Sequence, residues 1–156
     1  MGADTVLIGI AYTVSALSEI PFLLLADKIL KKIGIKNMLL ISGIAISLRW
    51  FLLSQTTQIG QVLAVQLLHG LIFVVLTLTI AVYINENIQN ELKASGQSLN
   101  TISGMWFSRI VGSILGGAVS RSIDLRQIFF ISSFVCFAAV IAFFALKDRF
   151  RTIDLK

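Results

Sequence analysis

Hydrophobic residues fall in long blocks along this chain, without the alternation of a half-buried strand or the spaced stripe of a surface helix. The blocks cover residues of about 6–25, 38–53, 61–84, 98–119 and 128–146. At a rise of about 1.5 Å per residue, blocks of this length suit the ~30 Å hydrocarbon core of a bilayer. A spanning segment must satisfy its backbone groups internally, and these blocks are too long for barrel strands. The pattern therefore predicts an all-α, polytopic membrane protein with five transmembrane helices in one domain, residues 1–156.

Composition supports the same class. The chain has 156 residues, of which 56% are hydrophobic and 13% charged, whereas a soluble domain carries about 25% charged residues. A soluble enzyme domain and a disordered tail are therefore excluded, and the single cysteine, Cys136, excludes a disulfide scaffold. The sequence contains no nucleophile elbow, phosphate loop, zinc signature or pair of catalytic carboxylates. We expect no enzymatic activity, no cofactor and no bound metal.

The basic residues lie mainly between the blocks, where they set orientation in a membrane and do not form a nucleic-acid surface. The first loop, the third loop and the tail hold nine of them: Lys28, Lys31, Lys32, Lys36, Lys93, Lys147, Arg149, Arg151 and Lys156. The alternate side holds only Arg121 and Arg126. This asymmetry predicts a multi-pass protein of the cell membrane with the N-terminus outside and the C-terminus cytoplasmic. No signal peptide is visible, so we expect a further helix to precede the first block.

Four ionisable residues lie inside the blocks, each on a different predicted helix: Glu19, Arg49, His69 and Arg109. Each such group costs at least ~2.5–3.5 kcal/mol to insert, so it usually faces a cavity or a partner. The four residues are candidates for a substrate or proton pathway. The alternative is a set of structural ion pairs that fix the packing of the helices.

The third and fourth blocks each carry a stripe of related residues. In the third, Gln66, His69 and Phe73 are spaced by three and four residues, so they share one helix face. A face with hydrogen-bonding groups and an aromatic ring suits a small polar ligand. In the fourth, small residues recur every four positions beside Arg109, a pattern typical of close helix packing. These small residues are Gly104, Ser108, Gly112 and Gly116.

Several ordered motifs resemble those of one transporter family. They are Asp4-Thr5-Val6-Leu7-Ile8-Gly9, Leu17-Ser18-Glu19-Ile20-Pro21, Ala26-Asp27-Lys28, Gly34-Ile35-Lys36-Asn37, Leu67-Leu68-His69-Gly70-Leu71-Ile72-Phe73, Glu91-Leu92-Lys93-Ala94-Ser95-Gly96-Gln97 and Gly112-Ser113-Ile114-Leu115-Gly116-Gly117. Their order and spacing over about residues 3–150 resemble helices eight to twelve of a major facilitator superfamily transporter. The nearest branch is that of lactose permease, the nucleoside–proton symporters and the phenylpropionate permeases. The chain is thus similar to part of the C-terminal six-helix bundle of that fold.

The resemblance implies roles for particular residues. Four residues match the superfamily's cytoplasmic gating loop: Asp27, Lys28, Gly34 and Lys36. Glu19, Arg49 and His69 lie on the helices where lactose permease places an acid, a base and a histidine for sugar binding and proton coupling. Lactose permease has a further acid one turn after its histidine, where this chain has Ile72 and Phe73.

The function that the resemblance implies is proton-coupled symport of a small polar or anionic organic solute by alternating access. The expected partners are the solute, the proton, the lipid bilayer, and the N-terminal half or another protomer. Because only part of the fold is recognisable, we expect the chain to be a fragment or a split half that does not transport alone. The competing interpretation is a standalone membrane scaffold or assembly protein with structural ion pairs inside the bilayer.

Overall fold

The computed structural model describes residues 4–145, and every regular element within that range is helical. The elements are α1 (Thr5–Gln55), α2 (Ile59–Asn87), a 3₁₀ turn (Asn90–Leu92), α3 (Lys93–Asn100), a π-helical segment (Thr101–Phe107), α4 (Ser108–Val119) and α5 (Leu125–Ala145). This confirms the predicted all-α class. The end of the fifth predicted span at Leu146 and the four basic residues of the tail lie outside the described residues.

Helix α1 is a hairpin of two arms, residues 5–33 and 35–55, which meet at Gly34. Gly34 has φ 77° and ψ 164°, the one non-helical conformation inside α1. A single straight helix would hold Ser15 and Arg49 about 50 Å apart, yet both side chains reach the same oxygen of Gln66. The chain therefore reverses at Gly34. That backbone region is open essentially to glycine alone, which explains the residue type.

Four helical stretches of the described chain are long and apolar enough to cross a membrane. They are Thr5–Gln55, Ile59–Asn87, Asn90–Val119 and Leu125–Ala145. Since the first of them is the hairpin α1, the four stretches supply five crossing segments, and each predicted span falls in its own segment as far as residue 145. The all-α membrane fold is therefore confirmed.

The connection expected between the first two spans is not a loop. Apart from Gly34, residues 26–37 are helical. The stretch holds four lysines, which are good helix formers, and one glycine is enough to turn the chain. The turn also falls at Gly34 and not at Pro21, whose backbone keeps helical torsion angles.

The packed part of the molecule consists of α1, α2 and α5. Leu30 and Met38, on either side of the turn, form an apolar core with Val75 of α2. Helix α5 runs antiparallel to the second arm of α1, where Ser47 donates a hydrogen bond of 2.9 Å to the Ser133 carbonyl. These contacts join both arms of α1 to their neighbours and so set the positions of the polar side chains between them.

The helical stretch Asn90–Val119 lies apart from this core. None of its described side chains is buried, and its clearest link to the core is the hydrogen bond of 3.2 Å from Gln97 Nε2 to the Ala81 carbonyl. The π-helical segment interrupts it in the middle, and there the Ser108 hydroxyl donates to the Ser103 carbonyl at 3.0 Å. The fourth predicted span is thus helical, with most of its surface uncovered.

Candidate functional site

The site begins at a close crossing of α2 over the first arm of α1. The Gly70 N–H donates a hydrogen bond of 3.0 Å to the Ser18 hydroxyl, which in turn donates to the Ser15 carbonyl at 2.6 Å. A Cβ on residue 70 would overlap the backbone carbonyl of Ser18. The absence of a side chain at Gly70 therefore lets the two helices meet closely enough for their polar residues to touch.

One turn along α2, the side chain of Gln66 joins both arms of α1. Its Oε1 accepts a hydrogen bond of 2.7 Å from the Arg49 guanidinium and lies 3.2 Å from the Ser15 hydroxyl. The Arg49 Nε is buried and has no hydrogen-bond partner in the described part of the chain. Arg49 is thus held inside the bundle by a neutral amide, and no carboxylate of residues 4–145 forms an ion pair with it.

Glu19, His69 and Phe73 form the second part of the cluster. The Glu19 Oε1 lies 3.8 Å from the His69 Nε2, and both side chains are about one-third exposed (31% and 33%). The His69 ring stacks on Phe73 with the ring centroids 5.9 Å apart. The structure therefore brings together five of the six predicted pathway residues from the two arms of α1 and from α2. Their role in transport stays a prediction.

A cavity of about 660 Å³ opens beside the cluster, within the usual size range of ligand pockets. Its polar wall includes Ser15, Arg49, Gln66 and His69. The rest of the wall is mostly apolar and comes from the start of α1, the connection between α1 and α2, and the start of α5. The cavity has the character of many solute sites, in which an apolar wall surrounds a few polar groups that fix orientation.

Sequence reasoning missed part of this cavity. Ser15 and Ser18 are small polar residues inside the first predicted span, and such residues favour helix–helix contacts in a membrane. Asp124 and Arg126 also line the cavity. The charges of the fourth loop indicated orientation only, and nothing local in the sequence shows that the start of α5 reaches the ends of α1 and α2.

Arg109 does not join the cluster. Its side chain is exposed on α4, and it forms no ion pair or hydrogen bond with the residues that the structure describes. The small-residue stripe on the same stretch is also uncovered, since a Cβ at Gly112 or Gly116 would meet none of the described residues within 4 Å. Among the described residues, a Cβ at Gly104 would meet the Asn100 side chain alone, and Ser108 is exposed. The packing role of this stripe stays a prediction.

The four predicted gating residues lie at the opposite end of the bundle from the cavity. Asp27 and Lys28 are exposed on the first arm, and Gly34 makes the turn. The Lys36 Nζ lies 6.0 Å from the centre of the Phe144 ring, a cation–π arrangement that links the turn to α5. The residues are thus grouped around the turn, and their gating role stays a prediction. Within residues 4–145, no group of three His, Cys, Asp or Glu side chains is placed to hold a metal ion.

Comparison with known proteins identifies the protein family to which the chain belongs. A family model described as the MFS_1 like family matches residues 1–132. Since that is most of the chain, the chain belongs to this family, a part of the major facilitator superfamily. This confirms the resemblance drawn from the motifs.

The chain is similar in sequence to several individual transporters of bacteria. The chain is 28% identical over 149 residues to the xanthosine permease of Escherichia coli, covering 88% of this chain and 36% of that protein. It is 30% identical over 114 residues to the nucleoside permease NupG of the same organism, covering 70% of this chain and 27% of that protein. An uncharacterized MFS-type transporter of Bacillus subtilis, YuxJ, is 27% identical over 120 residues, 76% of this chain and 30% of its own. The chain thus spans about a third of the length of these relatives, and no solved structure matches it.

Proposed function

We propose that the chain carries the solute-binding and proton-coupling residues of a secondary transporter for a small polar organic solute. The observation that carries the proposal is the polar cluster of Ser15, Arg49, Gln66 and His69 on the wall of one cavity. Buried polar groups at bilayer depth are costly, and their convergence on a cavity offsets that cost if they bind a solute there. The names of the xanthosine and nucleoside permeases make nucleosides the first solutes to try.

The proton is assigned to Glu19. Its carboxyl group lies 3.8 Å from the His69 Nε2, and His69 lines the cavity, so a change in the charge of Glu19 alters a residue of the cavity wall. When Glu19 is ionised, it attracts and orients the imidazole; when it is protonated, that attraction is lost. Binding of the solute and binding of a proton are therefore linked through His69.

The cavity is proposed to open to the outside of the cell membrane. It lies at the end of the bundle that holds residue 7, the connection at Thr56 and the start of α5 at Leu125. The exposed lysines of the α1 turn support a cytoplasmic position for the other end. With Cys136 replaced by serine, Thr57→Cys and Ser122→Cys should react with a membrane-impermeant maleimide on intact cells, whereas Lys32→Cys should react only after lysis. The reverse pattern would contradict this orientation.

The rest of the alternating-access fold is proposed to come from further helices, on the same polypeptide or on another. The uncovered stretch Asn90–Val119, with its exposed small residues, supports this proposal. On this view the 156-residue chain by itself binds solute without transporting it. Uptake of a nucleoside against its gradient by vesicles that contain only this chain would contradict that view.

Proton coupling is tested by calorimetric titration of the purified chain in nanodiscs with xanthosine and with uridine. Repeating the titration in buffers of different ionisation enthalpy counts the protons exchanged on binding. We expect saturable binding with proton exchange in the wild type, and binding without proton exchange in Glu19→Gln. Glu86→Gln is the matched control, because Glu86 is an exposed carboxylate at the end of α2 and should exchange protons as the wild type does. Unchanged proton exchange in Glu19→Gln would refute the assignment.

The scaffold alternative predicts a different outcome. If Glu19 and His69 only fix the packing, the wild-type chain binds no nucleoside, and Glu19→Gln changes the thermal unfolding temperature alone. That result would replace the transport proposal with a structural one.

A further inference from the structure

The amide of Gln66 has only one chemically reasonable orientation. An arginine side chain has hydrogen-bond donors and no acceptor, so the group that lies 2.7 Å from Arg49 must be the amide oxygen. Turning the amide over would place its NH₂ group against the guanidinium, donor against donor. Gln66 is also the one hydrogen-bond partner that Arg49 has among the described residues. Arg49 therefore fixes the orientation of Gln66.

This orientation leaves the donor end of the amide free. The Gln66 Nε2 has no hydrogen-bond partner between residues 4 and 145, and it is not one of the buried polar atoms without a partner. It therefore lies where another molecule can reach it, and Gln66 forms part of the cavity wall. Two N–H donors in a mostly apolar cavity call for an acceptor, because an unmatched donor in such surroundings is costly.

From this geometry we infer that Gln66 is a specificity-determining residue whose NH₂ group donates to a hydrogen-bond acceptor on the solute. The inference rests on the proposed solute-binding function and adds the chemistry of recognition. The group recognised is an uncharged acceptor such as the carbonyl oxygen or ring nitrogen of a heterocycle. Arg49 acts as a positioning residue, since it holds the amide oxygen and so turns the amide nitrogen towards the solute.

A substitution separates contact with the solute from support of Arg49. Gln66→Glu keeps an oxygen for Arg49 and Ser15 and strengthens the bond to Arg49 by adding charge, but it removes both N–H donors. If Gln66 only supports Arg49, this variant binds solute as the wild type does. If Gln66 contacts the solute, its binding weakens. Gln66→Met, which lacks both functions, should lose thermal stability as well as binding.

The experiment measures equilibrium binding of xanthosine to the 156-residue chain in nanodiscs, together with the thermal unfolding temperature of each variant. We expect Gln66→Glu to unfold at or above the wild-type temperature and to bind at least about tenfold more weakly. Gln127→Glu is the matched control, because Gln127 is exposed near the start of α5 and takes the same change of charge. It should bind as the wild type does.

Each other outcome overturns the inference in a distinguishable way. Wild-type affinity in Gln66→Glu would show that Gln66 only supports Arg49. A lower unfolding temperature in Gln66→Glu would show that the side chain of residue 66 is not paired with Arg49 as described. Failure of the wild-type chain to bind xanthosine, uridine or inosine would overturn the proposed function, and the inference with it.

Discussion

The crossing of α1 and α2 at Gly70 gives the sharpest test of the fold around the site. In Gly70→Ala, the new Cβ would overlap the Ser18 backbone carbonyl and would lie 2.6 Å from the Ser18 Oγ. A backbone atom cannot be moved aside by changing a rotamer, so the two helices must separate. The variant therefore measures how closely α1 and α2 are packed beneath the polar cluster.

The expected loss of stability in Gly70→Ala is the sum of three contributions. Overpacking of a well-packed contact costs about 1–3 kcal/mol. Weakening of the Gly70–Ser18 hydrogen bond costs about 1 kcal/mol more, while alanine gains about 1 kcal/mol over glycine inside a helix. The expected net loss of stability is about 1–3 kcal/mol, or at least about 3 °C in unfolding temperature.

The assay is thermal unfolding of the detergent-purified chain, followed with a thiol-reactive dye that reports the single, half-buried Cys136. Gly9→Ala is the matched control, because Gly9 is a helical glycine of α1 whose added Cβ would meet nothing within 4 Å. It should be neutral or slightly stabilising. If Gly70→Ala is as stable as Gly9→Ala, the crossing is looser than described and the reasoning is wrong.

Three further substitutions test other parts of the fold by the same unfolding assay. Gly34→Ala should lower the free energy of unfolding by about 1–3 kcal/mol through backbone strain alone, since its Cβ would meet none of the described residues within 4 Å. The control Gly60→Ala should not lower it. Equal stability of the two variants would argue against the turn at Gly34. Ser47→Ala should lower the free energy of unfolding by about 1 kcal/mol, because it removes the hydrogen bond to the Ser133 carbonyl. An unchanged stability would mean that this hydrogen bond does not stabilise the packing of α5. Arg109→Gln should change stability by less than about 0.5 kcal/mol because the side chain is exposed; a large loss would reveal a partner for Arg109.

Much of the fold can be predicted from local sequence. Long apolar blocks can only be helices in a bilayer, and the helices of the structure contain the predicted spans over the described residues. The position of the turn at Gly34 is harder to predict, because the charged stretch around it contains good helix formers. The tertiary arrangement of Asn90–Val119 does not follow from its sequence, since a small-residue stripe predicts a close neighbour without saying which helix supplies it.

The candidate site also has a part that follows from the sequence and a part that does not. Glu19, Arg49 and His69 can each be predicted as site residues, because an ionisable group is costly to place inside a bilayer. The helical spacing adds Gln66 and Phe73, which share one face with His69. The specific pairing could not be predicted, because it depends on how the α1 hairpin aligns its two arms against α2. Thus the contact of Arg49 with the amide of Gln66 is visible only in three dimensions.

Photoaffinity labelling can show whether the solute binds in the cavity between α1, α2 and α5. The chain in nanodiscs is irradiated with 8-azidoadenosine, with and without excess unlabelled inosine, and the labelled residues are mapped by mass spectrometry. The account predicts labelling on the cavity wall near Tyr12, Val62 or Phe129, and protection by inosine. Labelling confined to the exposed stretch Asn90–Val119, or labelling that inosine does not reduce, would contradict it.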